Sequence, residues 1–218
     1  MKSVILIAPP AAGKGTQSKL LCDLYNFEHI STGDLLRSEL KKDSEIGKSI
    51  KEIMETGKLV NDEIIISLLI NKLNFLVCNG YILDGFPRNL EQAIAYDKML
   101  KNNGQSIDYV IHLVLSKEEA KKRIVGRISC PNCGSIYNDL IKDSNPLLTN
   151  FCDKCGTSLV KRDDDNEETF DVRFDTYVEE TSPLINYYNN LGKLYEVDSS
   201  LGKMEIFNQI TSIIGDQI

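Results

Sequence analysis

The chain has 218 residues, 25 Lys and Arg against 32 Asp and Glu, and a formal net charge of −7. Its 42% hydrophobic and 26% charged residues exclude disordered, collagen-like and low-complexity classes, and the length suits one large domain or a domain with inserts. The acidic balance excludes a protein that grips nucleic acid through its phosphates, but leaves room for a local basic pocket that takes small phosphorylated ligands.

In chain order, Val4–Ile7 reads as a short buried parallel strand. The run is too short for a secretory signal, and no segment approaches the ~20 apolar residues of a membrane span. A cytoplasmic protein without a membrane segment is therefore expected. Lys14 to about Asn26 has helical spacing at Leu20, Leu21 and Leu24. Ser31 or Thr32 can cap a helix starting near Asp34. The same period continues through Ile46, Ile50, Ile53 and Met54 to a C-cap at Gly57. Asn61 caps a helix striped by Ile64, Ile65, Leu68, Leu69 and Leu73.

Tyr81–Asp84 is a second buried strand, Glu91–Asn103 a helix, and Tyr109–Leu115 a third strand. Ser116 caps a helix that runs to Arg127, with Glu118 and Glu119 favouring its N-terminus. Residues 128–166 lose helical period and read as an insert. A long helix over Glu167–Asn190, a strand at Leu194–Val197 and a helix at Met204–Ile214 complete the chain. Strands alternating with helices predict an α/β fold with a parallel sheet.

The first strand runs into Ala8-Pro9-Pro10-Ala11-Ala12-Gly13-Lys14-Gly15-Thr16-Gln17 and then a helix. Gly-Lys at a helix start makes a phosphate cradle: backbone N–H groups face the anion, Lys14 adds a charge, and the Thr hydroxyl reaches a phosphate or Mg²⁺. Ala8 and Ala11 stand where glycine is usual, and Ala11 fits only if its φ is negative. Asp84 ends an apolar strand, as a Mg²⁺-directing acid does. Gly85-Phe86-Pro87-Arg88 then places a guanidinium just beyond the sheet edge where α/β folds bind ligands. The two histidines, His29 and His112, flank no motif and read as structural.

Cys130-Pro131-Asn132-Cys133 and Cys152-Asp153-Lys154-Cys155 form a Cys-x₂-Cys…Cys-x₂-Cys set, with Gly134 and Gly156 after the pairs as in zinc-ribbon knuckles. Four thiolates suit a closed structural Zn²⁺ site, and two disulfides are the alternative. Asp139, Asp143, Asp153 and Asp163–Asp165 around the set argue against a nucleic-acid ribbon. Cys22 and Cys78 read as small hydrophobes in helical settings.

Taken together, Ala8–Gln17, Ile30–Arg37, Asp84–Arg88 with Gln92, Arg123–Arg127, and Arg162-Asp163-Asp164 with Arg173 closely resemble the adenylate kinase family, in order and over nearly the whole chain. The resemblance implies an α/β P-loop three-layer fold with a five-stranded parallel sheet, a helical AMP-binding insert and a zinc-ribbon-like lid. It implies a core of residues 1–30, 61–126 and 166–218, an AMP-binding part at 31–60 and a lid at 127–165. The activity implied is reversible transfer of the terminal phosphoryl group of Mg·ATP to AMP, giving two ADP. Ala11, Ala12, Gly13, Lys14, Gly15 and Thr16 would hold ATP phosphates. Arg123 and Arg127 would lie along ATP, with Ile136, Tyr137 and the Leu201 carbonyl near adenine and ribose.

By the same resemblance, Thr32, Arg37, Lys58, Leu59, Val60, Gly85, Arg88 and Gln92 would hold AMP, with Gln92 reading adenine. Arg162 and Arg173 would reach phosphates on lid closure, and Lys14, Asp84, Arg88, Arg127, Arg162 and Arg173 would form the catalytic set. Asp164 or Asp165 would engage ribose or lid residues. Gly126-Arg127 and the turn near Gly57 are candidate hinges. The implied cofactors are Mg²⁺ with ATP and a structural Zn²⁺. A monomer that binds neither nucleic acid nor membrane is expected. UMP, CMP or GMP as acceptor, and a non-catalytic zinc-ribbon module, are the rival readings.

Overall fold

The computed structural model describes residues 1–40, 50, 60, 62–141, 144–162 and 165–215. The expected cap at Asn61, C-cap and hinge at Gly57, helical positions Ile46, Ile53 and Met54, and Asp163 and Asp164 lie outside these residues, as do Lys58 and Leu59. A five-stranded sheet of order β2-β3-β1-β4-β7 forms the centre, from β1 (Lys2–Ile7), β2 (Phe27–Ser31), β3 (Gly80–Asp84), β4 (Tyr109–Val114) and β7 (Leu194–Asp198). Every pairing is parallel. The helices are α1 (Lys14–Tyr25), α2 (Thr32–Leu40), α3 (Asp62–Leu73), α4 (Leu90–Asn102), α5 (Lys117–Val125), α6 (Glu167–Thr176), α7 (Pro183–Asn190) and α8 (Lys203–Ile214).

Alternate residues of the strands feed the two faces. Val4, Leu6, Ile82, Ile111 and Leu113 pack with Leu21, Ile124, Phe170 and Ile210 on one side. Ile5, Ile7, Leu83 and Val110 pack with Leu69, Tyr96, Leu184 and Tyr188 on the other. A sheet buried on both faces needs near-continuous apolar strands, which explains why β1, β3 and β4 are legible in the sequence.

Three expectations are corrected. The long helix over Glu167–Asn190 is broken into α6, a π-turn at Tyr177–Thr181 and α7. Pro183 offers no N–H and its ring crowds the preceding turn, so the ladder widens and Ser182 N–H reaches back to Tyr177 O at 2.8 Å. The helix after Ser116 stops at Val125, and Arg127 opens a strand instead of closing the helix. A side chain at its cap, Gly126, would collide with Asn138, so the chain can leave the helix directly into the lid hairpin. Cys78 lies in the connection before β3, where its thiol donates to Gly80 O, and Cys22 is half-buried on α1. That hairpin pairs β5 (Arg127–Ser129) with β6 (Ile136–Asn138) in antiparallel register. Among the described residues no helix is long and apolar enough to cross a membrane.

Candidate active site

The strand order places β1 between β3 and β4, so the C-terminal ends of β1 and β3 adjoin where ligands enter an open α/β sheet. Leu6 pairs with Asp84, and the loop Ala8–Gly13 leaves β1 just beyond. Gly13 adopts φ 88 to turn into α1 and provides no side-chain cap, which leaves the helix N-terminus facing the loop. Ala11 takes φ 62. This overturns the expectation that alanine requires negative φ here: the turn geometry prevails over a local strain of about 1–2 kcal/mol. Ser199 after β7 clips the loop by donating from Oγ to Ala12 O at 2.6 Å.

Lys14 folds over the loop and donates to Ala8 O at 2.9 Å. Burial lowers its pKa, with Arg88 and Arg127 lowering it further and Asp84 opposing them. Asp84, Arg88 and Arg127 therefore all lie within electrostatic reach of Lys14. On Asp84, burial alone would push the pKa up, but the His29 hydrogen bond and the charges of Lys14, His29 and Arg88 outweigh it and hold the carboxyl below its usual range. His29 Nε2 lies 3.3 Å from Asp84 Oδ2. His29 thus contacts the central carboxylate, a role that its isolated position in the sequence did not signal. His112, buried in β4, meets Tyr177 Oη at 3.0 Å and Glu196 at 3.2 Å, in keeping with a structural role.

After β3, Gly85 turns at φ 79. Its carbonyl accepts from Thr32 Oγ1 and Arg88 Nε, both at 2.9 Å. A Cβ at Gly85 would come within 3.0 Å of Thr32 Oγ1, so this turn needs glycine for both space and backbone angle. The main chain of Arg88 is held from two sides: its N–H donates to Gln92 Oε1 at 2.7 Å, and its carbonyl accepts from Thr181 Oγ1 at 2.8 Å. Val60 is buried in the same apolar layer as Leu36 and Ile65. Arg37 belongs to α2, with its side chain outside the description.

At the lid base, Arg127 makes a two-pronged ion pair with Asp165, whose side chain is 0% exposed. Asp165 therefore engages Arg127, the first residue of the segment expected to form the lid. An open cleft of about 440 Å³ beside this pair is lined by Val125, Lys161, Arg162, Asp165, Asn166 and Glu167. Arg173 lies on α6, and Arg123 on α5 pairs with Glu119 at 3.6 Å. Ile136 and Leu201 are exposed. Tyr137 points its hydroxyl into the cysteine cluster, taking the Asp153 N–H at 2.9 Å and lying 3.4 Å from Cys152 Sγ.

The four sulfur atoms of Cys130, Cys133, Cys152 and Cys155 lie within 4.8 Å of one another. Two of the pairs are 3.4 and 3.5 Å apart. Tetrahedral Zn²⁺ with ~2.3 Å Zn–S bonds sets its sulfurs ~3.8 Å apart, so the donor set fits such an ion. The thiol of Cys155 is pulled down to about 5 by hydrogen bonds with Thr157 and Cys130, while the Cys130 thiol is raised, so the two share one proton unequally. Lys19 on α1 donates to Gly134 O at 2.7 Å and joins this knuckle to the core.

A parallel sheet with a Lys-bearing loop at one strand end, a carboxylate at the next and an arginine within electrostatic reach of both defines a P-loop phosphotransferase. A sequence profile described as adenylate kinase matches residues 6–193. Proteins named adenylate kinase from Archaeoglobus fulgidus, Rhizobium etli and Geotalea daltonii are 45%, 44% and 42% identical to it. The matches cover 97% of both chains, 96% of this chain and 95% of the relative, and 97% and 99%, respectively. The chain belongs to the adenylate kinase family. It is a nucleoside-monophosphate kinase that transfers a phosphoryl group between ATP and AMP, and the family uses Mg·ATP.

Proposed function

We propose that this phosphoryl transfer proceeds by positioning and charge neutralisation on the residues gathered at the β1 and β3 ends. Mg·ATP and AMP together bring about four negative charges. Lys14 and the N–H groups of Ala11–Thr16 hold the ATP phosphates, and Arg88 draws the AMP phosphate towards them. Asp84, kept ionised by its surroundings, orients the Mg²⁺ carried by ATP, which supplies charge stabilisation to the transferring group. Arg127, Arg162 and Arg173 complete the cationic ring as the lid closes and water is excluded.

Thr32, Arg37, Lys58, Leu59, Val60 and Gly85 take part in AMP binding, and Gln92 reads adenine. Arg123, Ile136, Tyr137 and the Leu201 carbonyl flank the ATP nucleoside. The core comprises residues 1–30, 61–126 and 166–218, with the AMP-binding part at 31–60 and the lid at 127–165, and Gly126-Arg127 acts as a hinge. The lid cysteines hold a structural Zn²⁺ that fastens a segment too small to carry its own core. The enzyme works as a cytoplasmic monomer without nucleic-acid or membrane partners.

The observation that carries this reading is Lys14 folded over the loop at the end of β1, with Asp84 at the end of the paired strand β3 and the Arg88 turn directly after it. The test is steady-state kinetics of Lys14→Met and Arg88→Lys. Lys14→Met is expected to lower kcat at least a hundredfold, and Arg88→Lys to raise KM for AMP more than KM for ATP. Equal effects of Arg88→Lys on both substrates would refute the assignment.

A further inference from the structure

The structure fixes which way the Gln92 amide points. Its Oε1 accepts the Arg88 backbone N–H at 2.7 Å, a bond that only the oxygen end can accept. The amide nitrogen therefore faces α3, where it donates to Asp62 Oδ1 at 2.5 Å. An ionised carboxylate only accepts, so this contact demands the same orientation independently. Asp62 Oδ2 also takes Asn89 Nδ2 at 3.4 Å, and Asn89 caps α4 by accepting Gln92 N–H at 2.8 Å. The locked residue is 1% exposed.

Each end of the amide retains one bonding capacity beyond these contacts: a second N–H and a second lone pair. In this fixed order along the amide, a donor and an acceptor match adenine, whose N1 accepts and whose 6-amino group donates. A 6-oxopurine carries the inverse pair, an accepting O6 and a donating N1–H. A flipped amide would suit that base; the Arg88 N–H and Asp62 each resist the flip, and losing Asp62 removes the hold on the nitrogen end.

We propose that Asp62 is a positioning residue for base selection: by holding Gln92 Nε2 it keeps the amide in the adenine-reading orientation and disfavours 6-oxopurine acceptors. This rests on Gln92 being the adenine reader. A purely structural role would look similar in the fold, because glutamine at the third position of a helix often braces the cap. The two differ in what they do to selectivity.

The experiment compares AMP and IMP as acceptors for the unaltered full chain, Asp62→Asn and Gln92→Ala, with kcat and KM separated and thermal unfolding recorded. Asp62→Asn is expected to lower the AMP-to-IMP ratio of kcat/KM about tenfold, chiefly through KM, and Gln92→Ala to lower it as well. A lowered ratio in Gln92→Ala alone overturns the role of Asp62 and leaves the adenine reading standing. An unchanged ratio in both overturns both. If Asp62→Asn lacks a cooperative melt, Asp62→Ser makes the same comparison. Asp62→Glu keeps an accepting carboxylate and is expected to recover part of the ratio.

Discussion

The Arg127–Asp165 pair makes an asymmetric prediction. The Asp165 carboxylate is 0% exposed and both prongs of its pairing come from Arg127, whose side chain is 17% exposed. Replacing Arg127 by Met keeps much of the aliphatic stem but strands a sealed carboxylate. Breaking a buried pair in this way costs about 3–5 kcal/mol. For a chain of this size each kcal/mol moves the melting temperature by about 2–4 °C, so a fall of about 10 °C is expected. Replacing Asp165 by Asn leaves a partly exposed guanidinium beside an open cleft. It can turn to water there, and the cost should be less than half as large. Calorimetry or urea unfolding of both variants and the double variant measures the difference, with the double variant recovering part of the Arg127→Met loss. Equal losses in the two single variants, or a loss below about 1 kcal/mol for Arg127→Met, would show that the carboxylate does not depend on that cation.

Three further outcomes follow from the site. Ala11→Gly removes a left-handed alanine at φ 62 and should stabilise the protein by about 0.5–1 kcal/mol, after the extra freedom that glycine brings to the unfolded chain is subtracted; a loss in thermal unfolding refutes the strain. Cys130→Ser should lose metal in elemental analysis and lower the melting temperature, yet retain turnover in the cold; complete inactivity of a still-folded variant contradicts a structural role. His29→Ala should move the Asp84 titration upward in carboxyl-observed NMR. Because the folded pKa of Asp84 is depressed, its stabilisation is present above the ordinary carboxylate value and lost as pH falls through the folded one. The variant should therefore be less stable than the parent while Asp84 is ionised, with the gap closing once the pH falls through the folded pKa of Asp84. A gap that persists below that pKa refutes this linkage.

The central strands, the phosphate loop and the cysteine set were legible because burial on both sheet faces, a helix-start anion site and metal ligation each impose residue types at short spacing. β2 carries no strand signature in the sequence. Phe27-Glu28-His29-Ile30-Ser31 has only two apolar residues, and an edge strand pairs on one side alone, so polar residues are tolerated. The π-turn escaped because the helical period runs through it, and only Pro183 marks the break. His29 and Asp62 contact site residues from elements distant in sequence. No local motif encodes such a contact; it arises only when β2 meets β3 and α3 meets α4. The strained Ala11 shows the converse limit, since the propensity of one residue is outweighed by a loop tied down through Lys14 and Ser199.

The most direct measurement is ADP formation from Mg·ATP with AMP, CMP, UMP and GMP offered separately to the full chain. Rapid formation of two ADP per ATP consumed with AMP, and kcat/KM values lower by orders of magnitude with the other three, is the predicted result. Absence of ADP formation with AMP, or a faster reaction with any of the other acceptors, would contradict the account.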